Sequence, residues 1–151
     1  MSRICHIEID DAGLPAPTPE VEQERRVAIF DLPGKEGVAG PEGPFRLALS
    51  IRDRRLVFDI ASDDGGKVTE FHLSLGPFRQ VVKDYFQICE SYFDAVKRLP
   101  PSQIEAIDMA RRGIHNEGAR VVQERLDGKA ALDIDTARRL FTLICVLQSG
   151  E

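Results

Sequence analysis

The chain has 151 residues, 42% of them hydrophobic and 30% charged, and its formal net charge is −5. This size and composition fit one globular domain with a single core, and no apolar run is long enough to cross a membrane. The negative charge argues against non-specific binding to nucleic acid, which needs a basic surface.

The amino terminus and the cysteines indicate the cellular compartment. The opening "MSRICHIEID" lacks the basic start and long apolar run of a secretory signal. The three cysteines, Cys5, Cys89 and Cys145, are an odd number without CxxC spacing, which is typical of reduced thiols rather than disulfides. We therefore expect a cytoplasmic protein in which residues 1–151 form a single domain.

The first third of the chain combines short elements with loops. "RICHIEID" has an apolar residue at every second position, which predicts a half-buried strand. Thr18 and Pro19 are typical of a helix start, and the helix that they begin is predicted to reach Leu32. Residues 33–44 are rich in glycine and proline, and we expect them to form a flexible loop.

Three consecutive segments between residues 45 and 75 have the strongest strand pattern. "FRLALSI", "RLVFDI" and "KVTEFHLSL" each alternate apolar and polar positions, so each strand presents one apolar face. Asp53 and Arg54 join the first two segments, and "SDDGG" joins the last two. This pattern predicts a meander in an antiparallel sheet of three to four strands with one covered face.

Helical patterns occupy the rest of the chain. A helix opened by Gly76-Pro77 holds five of the ten aromatic residues, so we expect it at the centre of the core. A third predicted helix begins at Ser102 with a capping box, and a fourth begins at Asp135 as its cap. We expect residues 148–151 to fray. The predicted fold class is α+β, with the sheet packed against the central aromatic helix and additional helices beside it.

The third predicted helix contains the densest polar cluster, "DMARRGIHNEGAR". Its acidic, arginine and histidine side chains recur at helical spacing beside the apolar stripe. Gly113 and Gly118 each cost about 1 kcal/mol in a helix, which suggests that a second body approaches here: the last helix, a partner subunit or a small molecule. One interpretation of the cluster is a solvated helix face with ion pairs. The functional interpretation is a binding surface. Its residues are Asp108, Arg111, Arg112, His115, Asn116 and Glu117.

Two functions are compatible with this surface. The leading prediction is a non-enzymatic binding or regulatory domain whose partner is another protein or, in a homodimer, a second copy. The alternative is an enzyme for a small anionic metabolite, with His115 as acid or base, Glu117 or Asp108 as its orienting group and Arg111 as the anion clamp. Nucleophile and phosphate-loop motifs are absent from the sequence, so catalysis is the less favoured interpretation.

Anions and metals give weaker signals. Arg138 and Arg139, just after the start of the last helix, form a candidate anion site because helix amino termini also favour anions. If two of the four arginine pairs converged, they could bind phosphate or carboxylate. The three histidines, at 6, 72 and 115, lack ligand spacing, so we predict neither a metal nor a cofactor.

Four segments of the sequence form a recognisable pattern: "MSRICHIEIDDAGLPAPTPEVEQERRVAIFDL", "PFRLALSIRDRRLVFDI", "PFRQVVKDYFQICESYFDA" and the run from "PSQIEAIDMARRGIHNEGARVVQERL" to "DIDTARRLFTLICVL". Together they resemble one family of small alphaproteobacterial proteins, uncharacterised protein family 0262. The resemblance covers nearly the whole chain, and only the glycine-rich part after Leu32 departs from the family pattern. It implies a bacterial, cytoplasmic, stand-alone domain. It assigns no activity and no catalytic residue.

Overall fold

A computed structural model gives the fold of most of the chain. The part of the chain that it describes comprises residues 2–9, 36–39, 45–62, 64–126 and 131–148. The helix predicted between Thr18 and Leu32 lies outside these residues. The α+β class predicted from the sequence is confirmed, because a sheet and three long helices share one hydrophobic core.

The sheet has six strands within the described ranges, in the order β5-β4-β3-β1-β2-β6. The predicted meander β3-β4-β5 is antiparallel, and Asp53 and Arg54 form its first turn with positive φ angles of 52° and 62°. The strands are β1 (Ser2–Ile9), β2 (Glu36–Ala39), β3 (Phe45–Arg52), β4 (Arg55–Ser62), β5 (Lys67–Ser74) and β6 (Ala131–Leu132).

The prediction of a wholly antiparallel sheet of three to four strands was wrong in two respects. β1 pairs in parallel with β3, with Ile7 opposite Leu47 and Ile9 opposite Leu49, so the sheet is mixed. Parallel neighbours need a long connection, which the chain between residues 9 and 45 supplies. In addition, β2 and β6 extend the sheet beyond the four strands that were expected.

The predicted flexible loop at residues 33–44 contains β2. This strand pairs antiparallel with β1 on one side and with β6 on the other, where Val38 lies opposite Leu132. The glycine and proline content predicted a loop, because composition reflects only the local preference of the backbone. Backbone hydrogen bonds to two neighbouring strands outweigh that preference here. The other residues of the predicted loop are outside the described ranges.

The helices are α1 (Gly76–Arg98), α2 (Pro101–Arg125) and α3 (Ile134–Gln148). α2 is one continuous helix through both Gly113 and Gly118. The predicted capping box at Ser102 is wrong, because Pro100 occupies the cap position and no side chain caps this end. Pro101 begins the helix instead, since its fixed φ suits the first helical position and the missing N–H is not needed there.

The core lies between one face of the sheet and the helices. Alternate residues of β3 and β4 point into it, among them Leu47, Leu49 and Phe58, as their pattern predicted. The most enclosed helix is α3 rather than the aromatic helix α1, since every α3 residue from Leu140 to Gln148 is buried. Gln148, the first residue of the predicted frayed tail, is instead helical and only 5% exposed, and residues 149–151 lie outside the described residues.

The cap of α3 is Asp133 rather than the predicted Asp135. Asp133 Oδ1 accepts a hydrogen bond from the Thr136 amide at 2.7 Å, and its backbone oxygen accepts one from the Ala137 amide at 3.0 Å. Asp135 lies within the first turn and is exposed. The predicted cap was two residues too late because both aspartates suit a helix start.

Asp133→Ala is therefore expected to lower the free energy of unfolding by about 1 kcal/mol, the usual effect of removing a helix cap. Asp135→Ala, which removes a carboxylate of the same type, is the matched control and should change stability by less than about 0.5 kcal/mol. Urea unfolding followed by circular dichroism measures both. Equal losses in the two variants would contradict the cap assignment.

Candidate functional site

The polar cluster of the sequence lies on α2, where the helix packs between α1 and α3. Arg111 binds Asp108 through two nitrogens, with Nε and Nη2 at 3.0 and 2.7 Å from Oδ1. Arg112 reaches the other oxygen of the same carboxylate at 3.0 Å. The i to i+3 and i to i+4 spacing on a helix brings these three side chains together, as predicted.

Arg111 is fixed on its other side by aromatic residues of α1. Its guanidinium carbon lies 5.0 Å from the centroid of the Tyr92 ring, within the range of a cation–π contact. The hydrogen bonds from Arg111, aided by the positive charge of Arg112, hold the pKa of Asp108 below its ordinary value of 3.8. Asp108 is therefore a carboxylate at neutral pH, and it is already engaged by two arginines.

His115 lies one turn further along α2, in a largely apolar setting. Its ring centroid is 5.2 Å from that of Tyr85 on α1 and 5.6 Å from that of Phe141 on α3. His115 Nε2 is 2.9 Å from Thr142 Oγ1, and the Arg138 Nε is 3.4 Å from His115 Nδ1. Residues from all three helices thus converge on the imidazole.

The partners of His115 define its tautomer. Arg138 Nε is always a donor, so His115 Nδ1 accepts this bond and the proton of the neutral ring resides on Nε2. His115 Nε2 therefore donates to Thr142 Oγ1, and the hydroxyl in turn donates to the backbone oxygen of Arg138 at 3.3 Å. These three hydrogen bonds link His115, Thr142 and Arg138 in a closed ring, which holds the imidazole in one orientation.

The surroundings of His115 favour its neutral form. Burial disfavours the charged ring, and the positive charges of Arg138, Arg111 and Arg139 add to this effect. Together they lower the pKa of His115 from 6.5 to about 4. At neutral pH the imidazole is therefore an uncharged hydrogen-bonding group, and the positive charge around it belongs to the arginines. We call Asp108, Arg111, His115, Arg138 and Thr142 the His115 cluster.

The two glycines of α2 have different surroundings. A Cβ atom at Gly118 would lie 2.4 Å from two atoms of the Phe141 ring, so this glycine lets α3 approach the bare backbone. The sequence predicted such an approach and gave the last helix as one candidate. At Gly113 nothing lies within 4 Å of a Cβ position. Close packing therefore accounts for Gly118 and leaves Gly113 unexplained.

The remaining candidate residues lie around the His115 cluster. Arg112 and Glu117 are exposed, whereas Asn116 and Arg139 are partly buried. The hydrogen bonds of His115 go to Thr142 and Arg138 rather than to either predicted orienting carboxylate. The charges of Arg111, Arg138 and Arg139 all lower the pKa of His115, whereas Arg112 pairs with Asp108.

Sequence reasoning missed the residues of other helices that complete the cluster. Thr142, Tyr85 and Tyr92 carried no signal of their own, because a threonine in an apolar run and tyrosines on an aromatic helix are typical of a core. The spacing Arg138 to Thr142 places both on one face of α3, and this spacing was the available signal. It could not reveal which face of α2 they would meet.

Within the described ranges, neither a metal site nor a membrane-spanning helix is found. No three side chains of His, Cys, Asp or Glu come close enough to share a metal ion in this part of the chain. Among the helices of the same residues, none combines the length and the apolar character needed to span a bilayer.

Comparison with known proteins places the chain in a family. The profile of Uncharacterised protein family (UPF0262) matches residues 1–149. The chain belongs to this family. A UPF0262 protein of Ruegeria pomeroyi is 73% identical, over 99% of this chain and 98% of its own length. A UPF0262 protein of Paracoccus denitrificans is 71% identical, over 99% of this chain and 97% of its own length. One from Cereibacter sphaeroides is 74% identical, over 99% of this chain and 100% of its own length.

The resemblance drawn from the sequence is therefore confirmed, and the relatives are alphaproteobacterial. Their printed names give the family and no activity. No solved structure matches the chain. The His115 cluster must consequently be interpreted from its own geometry.

Proposed function

We propose that this protein is a non-enzymatic, cytoplasmic binding domain that recognises an acidic segment of a partner protein through the surface around the His115 cluster. The observation that carries the proposal is that Arg138 on α3 meets the uncharged imidazole of His115 on α2, one turn from the pair Arg111-Arg112, which shares Asp108. Guanidinium groups bind carboxylates with paired hydrogen bonds, so such a surface suits an acidic ligand.

The balance of charge supports this proposal. Asp108 is shared between Arg111 and Arg112, and Asp135 forms a longer ion pair with Arg138, at 3.9 Å. The cluster therefore has a local excess of positive charge on a chain whose formal net charge is −5. A positive patch on an acidic protein attracts acidic partners and repels copies of itself, which makes a different protein the preferred partner over a homodimer through this surface.

Exposure of the arginines is graded in a way that suits binding. The Arg112 side chain is 65% exposed and that of Arg138 33% exposed, whereas that of Arg111 is 25% exposed. Arg112 and Arg138 can thus meet a ligand directly. Arg111, fixed by Asp108 and Tyr92, forms the rigid base beneath them, and rigid groups lose less conformational entropy on binding.

The alternative, an enzyme for a small anionic metabolite, has weaker support. A histidine that acts as a base needs a free nitrogen lone pair facing the proton that it removes. In the His115 cluster the lone pair of Nδ1 faces Arg138, and Nε2 carries the proton toward Thr142. Thr142 is 7% exposed, which also restricts its access to a substrate.

A pull-down with charge-reversal variants tests the proposed function. Arg112→Glu/Arg138→Glu reverses two exposed arginines of the surface, and Lys97→Glu/Arg120→Glu makes the same charge change at two exposed positions elsewhere. We expect partners from cell lysate to be retained by wild type and control, and reduced at least tenfold by the cluster variant. Retention should fall as salt rises.

The partner recovered in this way is then purified and its affinity for the three proteins measured by calorimetry. The expected tenfold loss corresponds to about 1.4 kcal/mol of binding free energy. The proposed function fails if every retained protein binds all three forms equally, or if the control variant loses binding to the same extent as the cluster variant.

A further inference from the structure

A second candidate site lies on a different face of α1 from Tyr85 and Tyr92, which contact the His115 cluster. A groove of roughly 670 Å³ opens there between α1 and the last residue of α3. Ligand pockets of about 300–1,000 Å³ with apolar walls and a few polar groups are typical of small-molecule sites. The described residues that matter for its chemistry are Arg79, Val82, Lys83, Phe86, Glu90 and Gln148.

Gln148 is the residue that distinguishes this groove from an ordinary surface depression. Its side chain is only 5% exposed, and its buried Oε1 accepts no hydrogen bond from the described residues. A buried amide oxygen without a donor destabilises the folded state, so an apolar residue of similar size would serve the fold better. Gln148 lines the groove, so a rotation of its side chain that brings the buried Oε1 to the groove wall would let a ligand supply the missing donor.

The other lining residues restrict the ligand further. Val82 and Phe86 provide an apolar wall, with the Phe86 ring partly accessible. Arg79 and Lys83 follow one another at i and i+4 on α1, so both positive charges lie on the same side of the groove. Glu90 lies two turns beyond Lys83 and adds a negative charge at the other end, which directs an anionic group toward Arg79 and Lys83.

We propose that this groove binds a small organic anion with an aromatic or similarly bulky apolar body and an N–H or O–H donor. The donor meets Gln148 Oε1, the apolar body lies against Phe86 and Val82, and the anionic group lies between Arg79 and Lys83. This site is separate from the surface proposed to bind a protein partner, and neither proposal depends on the other.

The probe for the test is 8-anilinonaphthalene-1-sulfonate, which combines aromatic rings, an arylamine N–H and a sulfonate. We expect its fluorescence to titrate as one saturable site on the folded full-length protein. Gln148→Leu and Lys83→Glu should each weaken binding at least tenfold. Lys97→Glu, on the same helix and outside the groove, is the control and should bind like wild type.

Thermal unfolding separates a ligand-binding role from a structural role for Gln148. The Tm of Gln148→Leu should equal or exceed that of wild type, since the variant removes a buried oxygen without a donor. Three results would overturn the proposal: wild type that shows no saturable binding, variants that bind the probe like wild type, or a Gln148→Leu protein with a lower Tm. Circular dichroism at the titration temperature verifies that each variant is folded.

Discussion

Gly118→Ala is expected to lower the free energy of unfolding by about 2 kcal/mol, although alanine is the better helix former. The new Cβ would lie 2.4 to 2.5 Å from three atoms of the Phe141 ring, and that ring is completely buried. Forcing extra atoms into a packed core costs about 1–3 kcal/mol, and a contact this close belongs at the upper end. The higher helix propensity of alanine offsets about 1 kcal/mol of that cost.

Gly113→Ala is the matched control on the same helix. Nothing lies within 4 Å of the Cβ position at Gly113, and the site is exposed, so the alanine gains the helix propensity without a clash. We expect this variant to be stabilised by about 1 kcal/mol. Urea unfolding of both variants should thus give changes of opposite sign, and a shift in the same direction would contradict the packing of α3 against Gly118.

A double-variant cycle identifies Phe141 as the cause. Phe141→Leu removes part of the ring and is destabilising by itself, because it leaves a cavity at a fully buried position. The Gly118→Ala/Phe141→Leu protein should lose less stability than the sum of the losses in the two single variants, since the smaller side chain leaves room for the new methyl group. Strict additivity would mean that the clash involves another neighbour.

The elements that could be predicted from the sequence are those defined by local pattern. Leu47 and Leu49 alternate with polar residues along β3, and this period of two predicted both the strand and its buried face. The proline pair at 100 and 101 predicted where α1 ends. These features depend on neighbours within one strand or one turn, which is the range over which a single sequence carries information.

Pairing between distant segments could not be predicted in the same way. β2, at Glu36–Ala39, has no apolar alternation that distinguishes it from a loop, and it exists because β1 and β6 lie beside it. The parallel pairing of β1 with β3 likewise depends on the path of the whole chain. In both cases the backbone hydrogen bonds that decide the structure come from residues far away in sequence.

In the site, too, local spacing could be predicted from the sequence and contacts between distant residues could not. The row of Asp108, Arg111 and His115 could be predicted because helical spacing alone places the three on one side of α2. The identity of the groups that meet this row could not, since Arg138 and Thr142 follow His115 by 23 and 27 residues. The predicted role of a carboxylate beside His115 depended on those unknown contacts.

Lowering the pH from 7 to 5 is expected to destabilise the fold by about 2 kcal/mol through His115 alone. Its pKa is lowered from 6.5 to about 4 in the folded protein, so between these values the unfolded chain binds a proton that the folded one does not. Stability therefore falls as the pH falls through this window, and most of the loss is present at pH 5. Above pH 7 both states are neutral and the effect vanishes.

Carboxylates act in a different pH range. The pKa of Asp108 is held below its ordinary value of 3.8, chiefly by its hydrogen bonds to Arg111. Its contribution to stability is present above that value and is lost only as the pH falls further, through the lowered pKa of the folded state. A comparison restricted to pH 7 and pH 5 therefore isolates the imidazole from this carboxylate.

His115→Gln tests the assignment because the amide copies both hydrogen bonds without a titrating ring. Its amide nitrogen can donate to Thr142 Oγ1, and its oxygen can accept from Arg138 Nε. The variant should lose about 2 kcal/mol less than wild type between pH 7 and pH 5, measured by urea unfolding at both values. His72→Gln, at an exposed position of β5, controls for the loss of a histidine elsewhere. Parallel losses in wild type and His115→Gln would mean that the imidazole of His115 is already charged at neutral pH or is free to reach water, and the ring of hydrogen bonds around it would have to be abandoned.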